Sequence, residues 1–254
     1  MNNYPKNLFI NFVHIPKCAG STFRTSLIDP YIPKELINGP IIGVHMLRKY
    51  QDDLQFLKGH FAYGSHRYFP KTSPIHQREC INIVSLREPL DQMISYYYYK
   101  IQVDEVGQVG PPVDPNSPHP ILDFYRKRPV IRNMQTRMVA GVHWHSRISP
   151  LAKLGTYFPS LMLVRARQNL KREFDWLFFQ DSADADFVEF AEFYGLKYQA
   201  NRYEKTVTKK RPQCNDVSPE EKRALLQLNS ADVLLYSQAK EWRCESAHLG
   251  SKRE

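Results

Sequence analysis

Short apolar runs alternate with amphipathic stretches along this chain. Residues 8–14, LFINFVH, form an apolar run that ends in a polar loop, the pattern of a buried strand. The loop Ile15–Ser21 follows, and Thr22–Leu27 reads as a helix stopped by Asp29-Pro30. The same order recurs at residues 80–100. There Ile81, Ile83, Val84 and Leu86 make a strand, Arg87-Glu88-Pro89 makes a turn, and Leu90–Lys100 makes a helix, with proline suited to its first turn. Further strands are expected at Phe56–Phe61 and Leu161–Arg165. Helices are expected at 121–126, 133–139, 168–179, 186–194 and 231–242. Another runs from the Ser218 cap, with Glu221 three residues on, towards Asn229.

Residues 103–120 are rich in Pro and Gly and lack periodicity, so they read as an exposed loop or lid. The tail beyond Cys244 is expected to fray. No internal repeat is visible. The alternation predicts one α/β domain over residues 1–254, a P-loop-like three-layer fold. Its central parallel sheet would be flanked by helices, and its C-terminal third would be rich in helix.

A length of 254 residues suits one well-filled α/β domain. The formal net charge of +9 calls for an anionic ligand: a nucleotide phosphate, a sulfated or carboxylated sugar, or nucleic acid. Basic residues are dispersed, and the aromatic run Tyr96–Tyr99 sits on a predicted helix, which argues against nucleic acid. Cys18, Cys80, Cys214 and Cys244 form no CxxC pair, so zinc of the usual spacing is not expected; free thiols are the simpler reading, with two bridges left open. His143 and His145 lack a third ligand at sensible spacing, so no metal is expected. No stretch approaches the roughly 20 apolar residues that span a bilayer, and Met1–Lys6 is unlike a signal peptide. The protein is therefore expected to be soluble and cytoplasmic, or in the Golgi lumen if an anchor once preceded it.

The chemistry concentrates in two strand-to-helix loops. In the first, a helix N-terminus offers backbone N–H groups and a positive dipole end to an anion. Gly20 would let the backbone approach that anion, Ser21 and Thr22 add hydroxyls, and Lys17 adds a cation. The pattern differs from the usual ATP loop, GxxxxGK followed by Ser or Thr, because the lysine precedes the glycine. In the second, Arg87 leaves the strand end and Ser95 lies two turns into the helix, a two-pronged cation and a hydroxyl.

The segment HIPKCAGST after an apolar strand resembles the 5′-phosphosulfate-binding loop of the family 2 sulfotransferases, which include the heparan and chondroitin sulfate 2-O-sulfotransferases. The resemblance implies that Lys17, Cys18, Ala19, Gly20, Ser21 and Thr22 hold the 5′ side of 3′-phosphoadenosine 5′-phosphosulfate (PAPS). SLREPLDQMISY resembles the segment that holds the 3′-phosphate, which implicates Arg87 and Ser95. KGHFAYG resembles the segment that carries a catalytic histidine, and His60 matches it; His66 is a fallback base and a candidate for substrate binding. A neutral imidazole near pH 7 can take the proton of an attacking alcohol. NMQTRMVAG resembles a stretch near cofactor and acceptor, which makes Arg137 a candidate for substrate binding. TVTKKRP resembles a loop that closes over the nucleotide, with Thr208, Lys209 and Arg211 as phosphate neighbours. The chain departs from the family at Lys58, where relatives carry a histidine, at Ala166, where they carry an acid, and at Thr206, where they carry an asparagine.

The resemblance extends from Leu8 to about Trp242. It implies sulfuryl transfer to a hydroxyl, with a carbohydrate favoured and a lipid or small metabolite left open, without a metal, leaving adenosine 3′,5′-bisphosphate. Two rivals stay open. A phosphotransferase using ATP and magnesium would want an aspartate at the end of an apolar strand, and the strand before Arg87 ends in Ser85-Leu86. A nucleotide-binding protein without catalysis would be consistent with the three departures.

Overall fold

The computed structural model describes residues 8–30, 37–38, 62–65, 79–102, 117–142, 158–199 and 211–249. The chain falls into two compact units, residues 1–86 with 171–209 and residues 87–170 with 210–254.

The first unit is built on a parallel sheet. Its strands are β1 (Leu8–Val13), β2 (Ile37–Asn38), β3 (Ala62–Ser65), β4 (Glu79–Leu86) and β5 (Trp176–Phe179). Their order is β2-β3-β1-β4-β5, and every pairing is parallel. Both β1 and β4 are near-continuous apolar runs, as expected of strands buried on both faces. The Asn11 amide breaks the run on β1, and it donates to Asn82 Oδ1 of β4 at 2.7 Å; the two residues are register partners. Asn82 is also tied to the approach to β5. Its N–H donates to Asp175 Oδ2 at 2.8 Å and its side chain to the Glu173 carbonyl at 2.9 Å.

From β1 the chain goes on to β2 and β3 on one side; from β4 it goes on to β5 on the other. In open α/β sheets, ligands bind outside the carboxyl ends of strands where the connections diverge in this way. The first loop leaves β1 at that edge, beside the end of β4.

Helix α1 (Gly20–Phe23) runs directly into a π-helical turn, Arg24–Ile28, and is fixed to the sheet by aromatic packing. Phe23 stacks on Phe12 of β1 at 4.6 Å between centroids and meets Phe187 and Phe190 edge-on at 5.4 and 5.7 Å. Ile10, Ile81, Ile83 and Phe178 belong to the same core, with Leu27, Ile28, Ala191 and Leu196. Helix α6 (Ala183–Phe193) supplies Phe187 and Phe190, and its buried Asp186 accepts the Phe179 N–H at 2.7 Å, which fixes the turn from β5 into the helix.

The second unit is helical. It contains α2 (Pro89–Gln102), α3 (Pro120–Arg126), α4 (Met134–Val139), α7 (Pro219–Leu228) and α8 (Ser230–Leu249). Most of α5 (Pro159–Arg172) also belongs to it. Tyr96 and Tyr97 of α2 are buried against Phe124 of α3, so these two tyrosines are core. Ser218 caps α7 by accepting the Glu221 N–H at 3.2 Å. The Glu221 carboxylate does not return to its own cap; it accepts the Leu122 N–H of α3 at 3.1 Å and joins two helices.

The α/β architecture, a parallel sheet flanked by helices, is the one expected, but three elements differ. Leu161–Arg165 is helical, within α5. Met162, Leu163, Ala166, Asn169 and Leu170 are its buried residues, a helical spacing that the LMLV run concealed. Residues 168–179 are not one helix: α5 ends at Arg172 and Trp176–Phe179 is β5, its WLFF run paired with β4. Helix α8 continues past Cys244 to Leu249. The strand expected at Phe56–Phe61, and residues 103–116 of the expected lid, lie outside the described residues.

Candidate functional site

Polar groups in the first loop are set by an unusual backbone. Lys17 and Ala19 both have positive φ, 69° and 61°. Residues with a Cβ rarely occupy this region, and such strain gathers at functional sites. Ala19 is left-handed and Gly20 opens α1, so adjacent residues of opposite hand turn successive N–H groups towards one concavity, a nest suited to an anion. The first intrahelical bond is Phe23 N–H to the Ala19 carbonyl at 3.0 Å, and Ala19, at the N-cap, makes no side-chain cap. Gly20, Ser21 and Thr22 therefore present the N–H groups that a helix start leaves over.

Gly20 is also where the helix start packs closely on its neighbours. A Cβ there would lie 2.2 Å from His14 Cδ2 and 2.9 Å from Phe12 Cε1. The position is reserved for close packing of the helix start against the end of β1. Cys18 is buried, so its side chain belongs to the loop's interior, whereas Lys17, Ser21 and Thr22 are half-buried at its surface.

The second loop is organised by a stripe of residues four apart: Arg87, Asp91 and Ser95. Arg87 Nη1 donates to the Ser95 hydroxyl at 3.3 Å, and Arg87 Nε donates to Asp91 Oδ2 at 2.7 Å. Arg211 reaches the same carboxylate from the other side, donating to Oδ1. Burial opposes ionisation of Asp91, but Arg211 and Arg87 outweigh it and hold the carboxyl below its usual range. Glu88 accepts the Leu90 and Asp91 N–H groups at 3.1 and 2.6 Å and so caps α2. Gln135 holds the backbone of Arg87 through two hydrogen bonds.

The segment from Asn133 to Arg137 is a tertiary brace. Asn133 Oδ1 accepts the Ala231 and Asp232 N–H groups at the start of α8, and Asp232 accepts the Thr136 and Gln135 N–H groups at the start of α4. Each residue caps the other's helix. Arg137 is 1 % exposed and donates to the Val130 carbonyl; burial lowers its pKa, against the pull of Asp232. Ala166 is fully buried.

The structure thus brings together Arg87, Ser95 and Arg211 in the second unit, and it places Lys17–Thr22 on one strained loop in the first. His60, His66, Thr208 and Lys209, with Lys58 and Thr206, lie outside the described residues. Sequence reasoning missed Asp91, Gln135, Asn133 and Asp232 as organisers. Asp91 was visible in principle, halfway between Arg87 and Ser95 at helical spacing. The others act across about 50 to 100 positions of sequence and leave no local signal. Among the described residues no cluster of His, Cys, Asp and Glu could hold a metal ion, and no helix is long and apolar enough to cross a membrane.

Compared with models of known protein families, residues 4–237 match the one described as the sulfotransferase family. No curated protein matches the chain.

Proposed function

This chain belongs to the sulfotransferase family, and we propose that it transfers the sulfuryl group of PAPS to an acceptor hydroxyl on a carbohydrate. The observation that carries the reading is the Arg87–Ser95 hydrogen bond at 3.3 Å. It pairs a permanently charged fork with a hydroxyl at the carboxyl end of β4, the donor set a phosphate monoester wants. The nest at Lys17–Thr22 supports the same reading from the other loop, because it offers backbone N–H groups and a lysine to a second anionic group. Each donor set, taken by itself, suits one phosphate group.

In this reading PAPS supplies an activated sulfur–oxygen bond. The acceptor oxygen forms a bond to sulfur as the bond to the 5′-phosphate oxygen breaks, and His60 takes the acceptor's proton. Lys17 and the amides of residues 20–22 stabilise charge on the sulfuryl oxygens and the departing phosphate. The protein's share is positioning and charge neutralisation, as in phosphoryl transfer. A net charge of +9 favours an acceptor that is itself anionic, such as a sulfated or carboxylated sugar.

An ATP–magnesium phosphotransferase fits less well. The first acid after β4 in the chain is Glu88, and its carboxylate is engaged by two helix N–H groups. The test is transfer of labelled sulfate from PAPS to a panel of glycans and phenols. Activity is expected with at least one glycan and should fall by about two orders of magnitude or more in Lys17→Ala and His60→Ala. Full activity in both variants would overturn the assignment of these roles.

A further inference from the structure

We propose that Asp91 is a positioning residue for the phosphate-binding arginines, one that aligns Arg87 and Arg211 as a pair. The proposal rests on the reading that Arg87 receives the 3′-phosphate. Arg211 lies 120 positions along the chain from Asp91, and among the described residues the Asp91 carboxylate is the group its guanidinium meets. Asp91 Oδ2 takes Arg87 Nε at 2.7 Å and Nη2 at 2.5 Å, while Oδ1 takes Arg211 Nη1. Both oxygens are engaged, one per arginine. The three side chains are 9, 21 and 20 % exposed for Arg87, Asp91 and Arg211, so the triad is largely shielded from solvent screening. Two guanidiniums packed this closely would repel each other without a counter-charge, and each would lose rotamer order. Arg87 is then fixed on three fronts: by Asp91, by the Ser95 hydroxyl, and by Gln135 on its backbone.

Asp91 is an anion beside an anion site. By Coulomb's law alone, its removal should strengthen phosphate binding. If its task is to hold two arginines in register, its removal should weaken binding.

The experiment is calorimetric titration with adenosine 3′,5′-bisphosphate of the wild type, Asp91→Asn, Asp91→Glu, Arg211→Gln and the Asp91→Asn/Arg211→Gln double variant, alongside KM and kcat for PAPS. Asp91→Asn is expected to weaken binding about 10- to 100-fold and to raise KM by a like factor, with kcat held within about twofold. Asp91→Glu, which keeps the charge and moves it by one methylene, should weaken binding severalfold. The double variant should be no weaker than the weaker single variant, because both changes remove one shared interaction. Unchanged or tighter binding in a folded Asp91→Asn would overturn the proposal. If that variant does not fold, Asp91→Glu carries the test, and unchanged binding there overturns it. A wild type that does not bind the bisphosphate removes the functional reading and this role with it, whereas wild-type binding with unweakened variants removes this role alone.

Discussion

Gln135 clasps the backbone of Arg87 from both sides. The Arg87 N–H donates to Gln135 Oε1 at 3.0 Å, and Gln135 Nε2 donates to the Arg87 carbonyl at 2.9 Å. Both groups are buried, so neither bond can be exchanged for water. The first residue after β4 is thereby locked to α4, and its guanidinium leaves the backbone from a fixed point. Gln135→Ala should cost about 1–3 kcal/mol of stability and should also weaken binding of adenosine 3′,5′-bisphosphate. Gln135→Glu keeps the acceptor and loses the donor, and should fall between the two. Urea denaturation and calorimetry on the same samples check both effects; a stability loss with unaltered affinity would show that the clasp does not position Arg87.

Gly20→Ala should disturb the first loop through packing. The added carbon would sit 2.2 Å from His14 Cδ2 and 2.9 Å from Phe12 Cε1, and Phe12 is held by its stack on Phe23. A loss of about 1–3 kcal/mol is expected in the urea midpoint. His14→Ala, made in the same background, should recover part of it by vacating the nearer contact. If the double variant is no more stable than Gly20→Ala, the imidazole is not what excludes a side chain at this position.

The mutual caps of Asn133 and Asp232 carry a pH signature. Burial pushes the Asp232 carboxyl up to about 6, from an ordinary value of 3.8, although the N–H groups of Thr136 and Gln135 pull it down. Between those two pH values the folded protein binds more protons than the unfolded chain at this group. Its contribution to stability is therefore complete below about pH 4 and declines as pH rises through 6, by on the order of 3 kcal/mol. Asp91, with its lowered pKa, has the opposite slope at lower pH. Comparing the wild type with Asp232→Asn isolates the Asp232 contribution, because Asp91 is present in both. Urea denaturation from about pH 4 to about pH 7 should show the wild type losing stability relative to the variant; parallel curves would mean that Asp232 titrates normally.

The strands that position the first loop and Arg87 were legible because each is a continuous apolar run bounded by a polar loop, and the paired strand–loop–helix units implied a parallel sheet. Arg87 and Ser95 were legible as a pair because both lie on one short segment. Elements misread were those where a short apolar run suits either state. LMLVR became helix because Met162, Leu163 and Ala166 face the core together, and WLFF became strand because Ile83 to Leu86 offer it a partner. The packing restriction at Gly20 was not legible, since it depends on where the His14 ring lies in three dimensions. The brace between Asn133 and Asp232 spans 99 positions and could not be seen from either segment alone. In isolation Asn133 is an asparagine before a helix, and Asp232 is an acid in a first turn.

The most direct test is calorimetric titration of adenosine 3′,5′-bisphosphate, without magnesium, into the wild type, Lys17→Ala and Arg87→Ala, with ATP–magnesium as the competing ligand. The wild type is expected to bind the bisphosphate and to prefer it over ATP–magnesium, and each variant should bind it at least about tenfold more weakly. Binding of ATP–magnesium in preference to the bisphosphate, or bisphosphate affinity unaltered in both variants, would contradict the account.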